Sequence, residues 1–148
     1  MRSMVHTNKA PQPAAAYSQA VVSGDLIFVS GQVATNPVTG SIDATSIEDQ
    51  VTQALRNIEA IVKAGSGTKG DIVRCGVFLA DLNDFAAMNQ AYKEFFGDAL
   101  PARTTVQAGL GTLRVEIDAI AVRSRTRGRG RAATPNRPAA RAKQRKRS

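Results

Sequence analysis

Apolar positions in the first half of the chain recur with the spacings of two strands and one helix. Two short apolar runs flank the turn at residues 23–25, which is the pattern of a β-hairpin, and residues 31–34 continue the second strand. A helix is predicted to begin at Thr45 or Ser46, because Ser46 followed by Asp49 resembles a capping box. The apolar face of this helix is formed by Ile47, Val51, Ala54, Leu55, Ile58, Ile61 and Val62.

The second half contains a further strand, a second helix and two last strands. Residues 71–79 form an apolar run typical of a strand, and the following helix carries an aromatic and methionine stripe that indicates core packing. The last strands are expected at about residues 103–108 and 113–122. If these two strands pair as a hairpin, Arg103 and Glu116 fall near the same end.

This order of elements predicts an α+β domain with two helices on one face of a mixed sheet. The other face of the sheet needs a cover. Arg74, Gly76 and Phe78 alternate with more apolar neighbours, so the uncovered face is partly apolar and could be shielded by other copies of the chain.

Charge divides the 148-residue chain into two parts. Residues 1–122 carry nine Lys and Arg against twelve Asp and Glu, whereas residues 123–148 carry eleven Lys and Arg and no acid. The first part is long enough for a hydrophobic core, and the second cannot bury one. We therefore predict a domain at 1–122 followed by a disordered Arg/Lys-rich tail at 123–148.

The inventory of reactive side chains excludes several classes of site. The single cysteine, Cys75, rules out a disulfide within the chain and fits a cytoplasmic setting. One Cys and the one histidine, His6, cannot build a zinc cluster within a subunit or a convincing Ser-His-Asp triad, and His6 falls in a terminus expected to be mobile. No signal peptide or membrane-spanning segment is predicted.

Arg103 and Glu116 are the candidate chemical pair. A guanidinium can form two parallel hydrogen bonds with a carboxylate, and a nearby glutamate can hold or move a proton on water. Asn89 and Tyr92 lie three residues apart on one face of the second helix, so their polar ends could reach the rim of a pocket. On residue types alone, strand Arg and Glu more often simply face solvent.

Several motifs occur in an order that resembles one known family. They are 16–20 (AYSQA), 29–32 (VSGQ), 81–85 (DLNDF), 89–96, 101–103 (PAR) and 115–117 (VEI). Together they resemble the RidA/YjgF family of enamine/imine deaminases over residues 11–122. The resemblance implies a chorismate-mutase-like subunit of the bacillus type, assembled as a homotrimer with small sites between subunits.

The same resemblance implies roles for individual residues. Arg103 is expected to clamp a substrate carboxylate, helped by the backbone amides of Gly31 and Thr105. Glu116 is expected to hold the hydrolytic water. The remaining residues of the implied cleft are Tyr17, Ser30, Asn89 and Tyr92.

The implied reaction hydrolyses 2-aminoacrylate and related enamines or imines, including 2-iminobutanoate, to 2-oxo acids and ammonia without a cofactor. Three departures from the family pattern bear on this expectation. Ala16 stands before Tyr17 where many members have proline, Thr105 stands where some have cysteine, and the connection at 108–113 looks shorter.

A second hypothesis is a non-enzymatic trimeric scaffold that binds nucleic acid or another polyanion through its basic tails. Arginines alternate with small residues in the tail, and no aromatic side chain is available there for stacking on bases. Binding would then be nonspecific. A solvated extension without a function fits the tail equally well.

Overall fold

The computed structural model describes residues 1–124. Two helices and a six-stranded sheet follow one another in the order β1 (Arg2–Val5), β2 (Ala20–Ser23), β3 (Leu26–Gln32), α1 (Ile47–Ala64), β4 (Ile72–Leu79), α2 (Phe85–Phe96), β5 (Ala102–Gln107) and β6 (Val115–Val122). Short 3₁₀ turns at Lys69–Asp71 and Leu82–Asp84 precede β4 and α2. The α+β class with two helices is therefore confirmed.

The first helix begins where the sequence predicts it, and capping residues define the helix ends. Ser46 is the N-cap of α1, and its hydroxyl accepts a hydrogen bond from Asp49 N at 3.1 Å. Gly97 ends α2 with a positive φ of 61°, a conformation that favours glycine. All seven predicted apolar positions of α1 are buried in the core against one face of the sheet.

The sheet has the order β1-β2-β3-β6-β4-β5. β4 pairs in parallel with β5, the two being connected through α2, and pairs antiparallel with β6 on its other side. The last two strands therefore do not pair as a hairpin, because β4 lies between them. Instead, β4, α2 and β5 form a crossover unit in which the two strands are parallel.

Two further features differ from expectation. Residues 2–5 form the edge strand β1 on β2, so the N-terminal segment before His6 is part of the sheet. Near the end of β3 the register with β6 shifts between Val29 and Gln32, which places Ser30 and Gly31 at a β-bulge.

One face of the sheet is buried by the helices and the other is open. On the open face, the exposed apolar side chains include Leu26, Phe28, Val106 and Val122, each 39 to 42% exposed, and Met4 of β1, which is 73% exposed. They alternate along their strands with residues of the helix-covered face.

Arg123, the first residue of the predicted tail, is attached to the domain. Its backbone N donates to Asp25 O at 2.9 Å, and its guanidinium donates to Gly65 O and Gly24 O. The prediction that the tail is disordered otherwise concerns residues that lie outside the described range.

Candidate functional site

Arg103 lies on the helix-covered face of β5, beside α2. In the sheet it is the neighbour of Cys75, which is fully buried under the helices. Its Nη2 donates to Asn89 Oδ1 at 2.9 Å, and its Nη1 lies 3.8 Å from Met88 Sδ. The helical spacing of Met88, Asn89 and Tyr92 therefore supplies one wall around the guanidinium.

Two aromatic rings flank the same guanidinium. Arg103 Cζ lies 4.7 Å from the centroid of the Tyr92 ring and 5.6 Å from that of Phe85. Arg103 forms no ion pair within residues 1–124, so its charge is stabilised only by an amide oxygen, a thioether and π faces. A cation held in this way keeps its capacity to bind an added carboxylate.

Beneath Arg103, the Cys75 thiol and the Tyr92 hydroxyl are buried next to each other. Burial raises the pKa of the Cys75 thiol to about 11, although the neighbouring Tyr92 opposes the shift. Burial also raises the pKa of Tyr92, and the thiol adds to that rise. Both groups therefore remain neutral near pH 7.

Two polar atoms near Arg103 are buried without a hydrogen-bond partner in the described part of the chain, Tyr92 Oη and Thr105 Oγ1. The Tyr92 hydroxyl lies beside Cys75, but no hydrogen bond of good geometry joins them. Thr105 follows Arg103 on the same face of β5. Unpartnered buried groups are costly in a folded protein, so they mark a place where a ligand or water can be held.

A small cavity opens at this point, with a volume of about 270 Å³. Its lining residues are Asn89, Tyr92, Lys93, Leu100, Pro101 and Arg103. Two of them are cationic and none is acidic. The cavity thus suits a small anion, and Lys93 and Leu100 are lining residues that the sequence did not indicate.

Glu116 lies on the opposite, open face of the sheet. It is paired with Phe78 in β4. The residues on either side of Phe78 along β4 are buried under the helices, so Phe78 and Glu116 lie on the other face. Its side chain lies against Gly31, where a Cβ would overlap Glu116 Oε1. Glu116 forms no hydrogen bond or ion pair in residues 1–124, so its carboxylate is free to bind water or a ligand.

Tyr17 and Ser30 lie in the same region as Gly31. Ser30 Oγ donates to Ser18 O at 2.6 Å, and Ser30 N donates to Gln19 O at 3.0 Å, so the bulge holds the segment that carries Tyr17. Tyr17 is 47% exposed and, with Gly31, lines an open groove of about 440 Å³. The buried Gln19, which accepts from Thr7 N and donates to Pro11 O, anchors this segment to the N-terminal residues.

The structure thus separates the predicted site residues into two groups. The first half-site, on the helix-covered side, consists of Asn89, Tyr92, Arg103 and Thr105. The second half-site, at the open face and the bulge, consists of Tyr17, Ser30, Gly31 and Glu116. One chain does not bring the two half-sites together.

The part of the chain that the structure describes contains neither a cluster of metal-binding side chains nor a membrane-spanning helix. Within residues 1–124, no three His, Cys, Asp or Glu side chains lie close enough together to hold a metal ion. Neither of the two described helices is both long and apolar enough to cross a bilayer. A cytoplasmic location stays a prediction.

Comparison with known proteins identifies close relatives over the whole described domain. The sequence model of the endoribonuclease L-PSP family matches residues 7–123. A 2-iminobutanoate/2-iminopropanoate deaminase from Dermatophagoides farinae is 39% identical over 125 residues, which span 82% of this chain and 96% of that protein. A RutC family protein from Pyrococcus horikoshii is 40% identical over 125 residues, spanning 83% of this chain and 99% of that protein.

Solved structures agree with these sequence matches. TdcF of Escherichia coli, crystallised with bound serine, is 41% identical and has a TM-score of 0.77, the match covering 82% of this chain and 99% of that one. The YjgF gene product of Escherichia coli is 40% identical with a TM-score of 0.78, over 82% and 99% of the two chains. The fold and the sequence together therefore place this chain in the RidA/YjgF family, whose sequence model bears the name endoribonuclease L-PSP.

Proposed function

We propose that this protein hydrolyses reactive enamine and imine acids, 2-aminoacrylate/2-iminopropanoate and 2-iminobutanoate, to 2-oxo acids and ammonia. The observation that carries the proposal is the Arg103 guanidinium, which is held by Asn89 and Tyr92 beside a small cavity and has no carboxylate partner in residues 1–124. Deaminase is the name of one relative at 39% identity, and TdcF was crystallised with an amino acid bound.

The site of this reaction lies between subunits. Arg103 and Glu116 face opposite sides of their own sheet, so a substrate can meet both groups only if they come from two copies of the chain. The apolar open face supports such an assembly, because Phe28, Val106 and their neighbours would lose their exposure to water in it. We take the assembly to be a homotrimer with cyclic symmetry, in which each interface joins the first half-site of one subunit to the second half-site of the next.

Binding begins at the substrate carboxylate. The Arg103 fork holds it through two parallel hydrogen bonds, while the Tyr92 ring and Asn89 keep the guanidinium in place. The backbone amides of Gly31 and Thr105 supply further donors to the bound anion. Tyr17 and Ser30 complete the wall around the reacting carbon.

Hydrolysis then proceeds by addition and elimination. The enamine takes a proton at its terminal carbon and becomes the iminium form of 2-iminopropanoate. Water held by Glu116 adds through its oxygen to the C=N carbon, and one water proton passes to the carboxylate. That proton is transferred to the amine nitrogen, the C–N bond breaks, ammonia leaves, and loss of the hydroxyl proton gives pyruvate. No cofactor takes part in any of these steps.

The experiment follows pyruvate formation from 2-aminoacrylate that a pyridoxal-phosphate dehydratase generates in the same vessel. We expect the protein to accelerate pyruvate formation above the spontaneous rate, and Arg103→Ala to abolish the acceleration. Arg56→Gln, which removes an exposed cation of α1 outside the cavity, is the matched control for loss of charge. Absence of acceleration by the unmodified protein would refute the proposal, and an active Arg103→Ala variant would refute the carboxylate clamp.

A further inference from the structure

The basic segment leaves the domain at a fixed point. Arg123 donates from Nη1 to Gly65 O at 3.3 Å and from Nη2 to Gly24 O at 3.2 Å, and its backbone N donates to Asp25 O. Gly65 is the C-cap of α1, whereas Gly24 belongs to the turn between β2 and β3. The chain therefore starts its basic segment beside the C-terminal end of α1.

A basic groove of about 410 Å³ lies directly next to this point. Its lining residues are Thr7, Lys9, Arg56, Glu59, Ala60, Lys63 and Ala64. Lys63 Nζ is 2.8 Å from Glu59 Oε1, so that pair is largely neutral. The side chains of Lys9 and Arg56 have no partner in residues 1–124 and give the groove its positive charge.

The segment that follows adds far more charge of the same sign. Residues 125–148 contain eight Arg and two Lys and no acidic residue, and the family match ends before them, at residue 123. Like charges repel, so the groove and the segment do not neutralise each other. The charge of each suits the same kind of anionic partner.

We propose that the Lys9–Arg56 groove and residues 125–148 together bind the sugar-phosphate backbone of nucleic acid, without reading its sequence. The guanidinium fork matches a phosphate, and ten cations in sequence match a polymer of phosphates better than a single small anion. The segment contains no Phe, Tyr or Trp to stack on bases, and no Leu, Ile, Val or Met to enter a bilayer. This function is independent of the proposed deaminase reaction.

The experiment measures binding of the full-length protein to a labelled single-stranded RNA of mixed sequence by fluorescence anisotropy over a range of salt. We expect a loss in affinity of roughly 100-fold or more between about 50 and 200 mM salt, because each neutralised phosphate releases a counterion. A full-length variant with Gln at the ten Lys and Arg positions of residues 125–148 should bind at least about 100-fold more weakly at 50 mM salt.

A second variant tests the part played by the groove. Lys9→Gln/Arg56→Gln should reduce the slope of log affinity against log salt by about 1.4, since each lost single-strand phosphate contact contributes about 0.7. Lys93→Gln, which removes a cation of the Arg103 cavity and none of the basic groove, is the control and should leave the slope unchanged. A second RNA of different sequence should bind equally well.

Three outcomes would overturn the proposal. The first is unchanged RNA affinity in the variant with the ten Gln substitutions. The second is a slope for Lys9→Gln/Arg56→Gln that equals that of Lys93→Gln. This result would show that the groove is not part of the surface that binds RNA. The third is tighter binding to phosphatidylserine vesicles than to RNA at the same salt, which would identify a membrane as the partner.

Discussion

Arg103 and Glu116 lie on opposite faces of the same sheet. β4 runs between their strands, with Cys75 next to Arg103 and Phe78 next to Glu116. Cys75 is covered by the helices, whereas Phe78 belongs to the open face. A site that uses both residues therefore requires two copies of the chain.

This geometry predicts complementation between two inactive variants. Arg103→Ala and Glu116→Ala should each lack activity, but subunits that are unfolded together, mixed in equal amounts and refolded should regain about a quarter of the wild-type rate. In a cyclic trimer, three quarters of randomly mixed assemblies contain both kinds of subunit, and each of these has one intact interface out of three. Pyruvate formation after refolding measures the recovery.

Each variant refolded alone is the control and should stay inactive. A double variant that carries both substitutions, refolded with wild-type subunits, corrects for losses during refolding. Complete absence of recovery in the mixture, with normal recovery of refolded wild type, would place the whole site within one subunit and contradict the proposed assembly.

The sequence predicts the helices better than it predicts the order of the strands. The apolar face of α1 and the cap at Ser46 are set by local spacing and local hydrogen bonds, and both are present. The strands that pair with β6 are distant from it in the sequence. The sequence favours the nearest strand, whereas β6 pairs with β3 and β4 and buries its alternate positions under the helices.

In the candidate site, too, local spacing predicts some features, whereas others depend on long-range strand pairing. Asn89 and Tyr92 lie on one helical face, as their spacing predicted, and both side chains contact Arg103, which the spacing alone does not indicate. The faces of the sheet on which Arg103 and Glu116 lie depend on strand register. A shift of one residue exchanges the two faces of a strand, so residue spacing along the chain cannot decide this point.

Gly31→Ala is expected to impair the second half-site without unfolding the protein. A Cβ at this position would overlap Glu116 Oε1 and lie 2.8 Å from Glu116 Cδ, so the carboxylate must turn away. A displacement of about 1 Å in a catalytic group costs on the order of 100-fold in rate. The measurement is kcat/KM for imine hydrolysis, together with the melting temperature.

Gly109→Ala is the matched control, because a Cβ there meets no atom within 4 Å. In a Glu116→Ala background, Gly31→Ala should cause little further loss, since the displaced group is already gone. Equal additional losses in both backgrounds would mean that Gly31 acts independently of Glu116.

The buried thiol predicts a loss of stability at alkaline pH. Burial raises the pKa of Cys75 from 9.0 to about 11, so the folded protein keeps this proton where the unfolded chain releases it. The resulting stabilisation is fully present below about pH 9 and is lost as the pH rises to about 11. Over this window the free energy of unfolding should fall more steeply in wild type than in Cys75→Ala, by up to about 1.4 kcal/mol per pH unit.

Chemical denaturation at a fixed protein concentration measures the two slopes. Cys75→Ala also creates a small cavity, but that cost is the same at every pH and leaves the slope unaffected. Burial, the largest cause of the raised pKa of Tyr92, is present in both proteins, and the smaller part of that rise that comes from the thiol makes the wild-type slope steeper still. Parallel pH profiles would show that the thiol is already solvated in the folded state.

Two truncations separate the domain from its basic segment. A chain that ends at Ser124 keeps the hydrogen bonds of Arg123 and should match the full-length protein in melting temperature, oligomeric state and deaminase rate. A chain that ends at Val122 loses the bonds from Arg123 to Asp25, Gly65 and Gly24, which should cost about 1 to 3 kcal/mol of unfolding free energy. Equal stability of the two chains would show that Arg123 contributes nothing to the domain, and loss of deaminase activity in the chain ending at Ser124 would show that catalysis requires the basic segment.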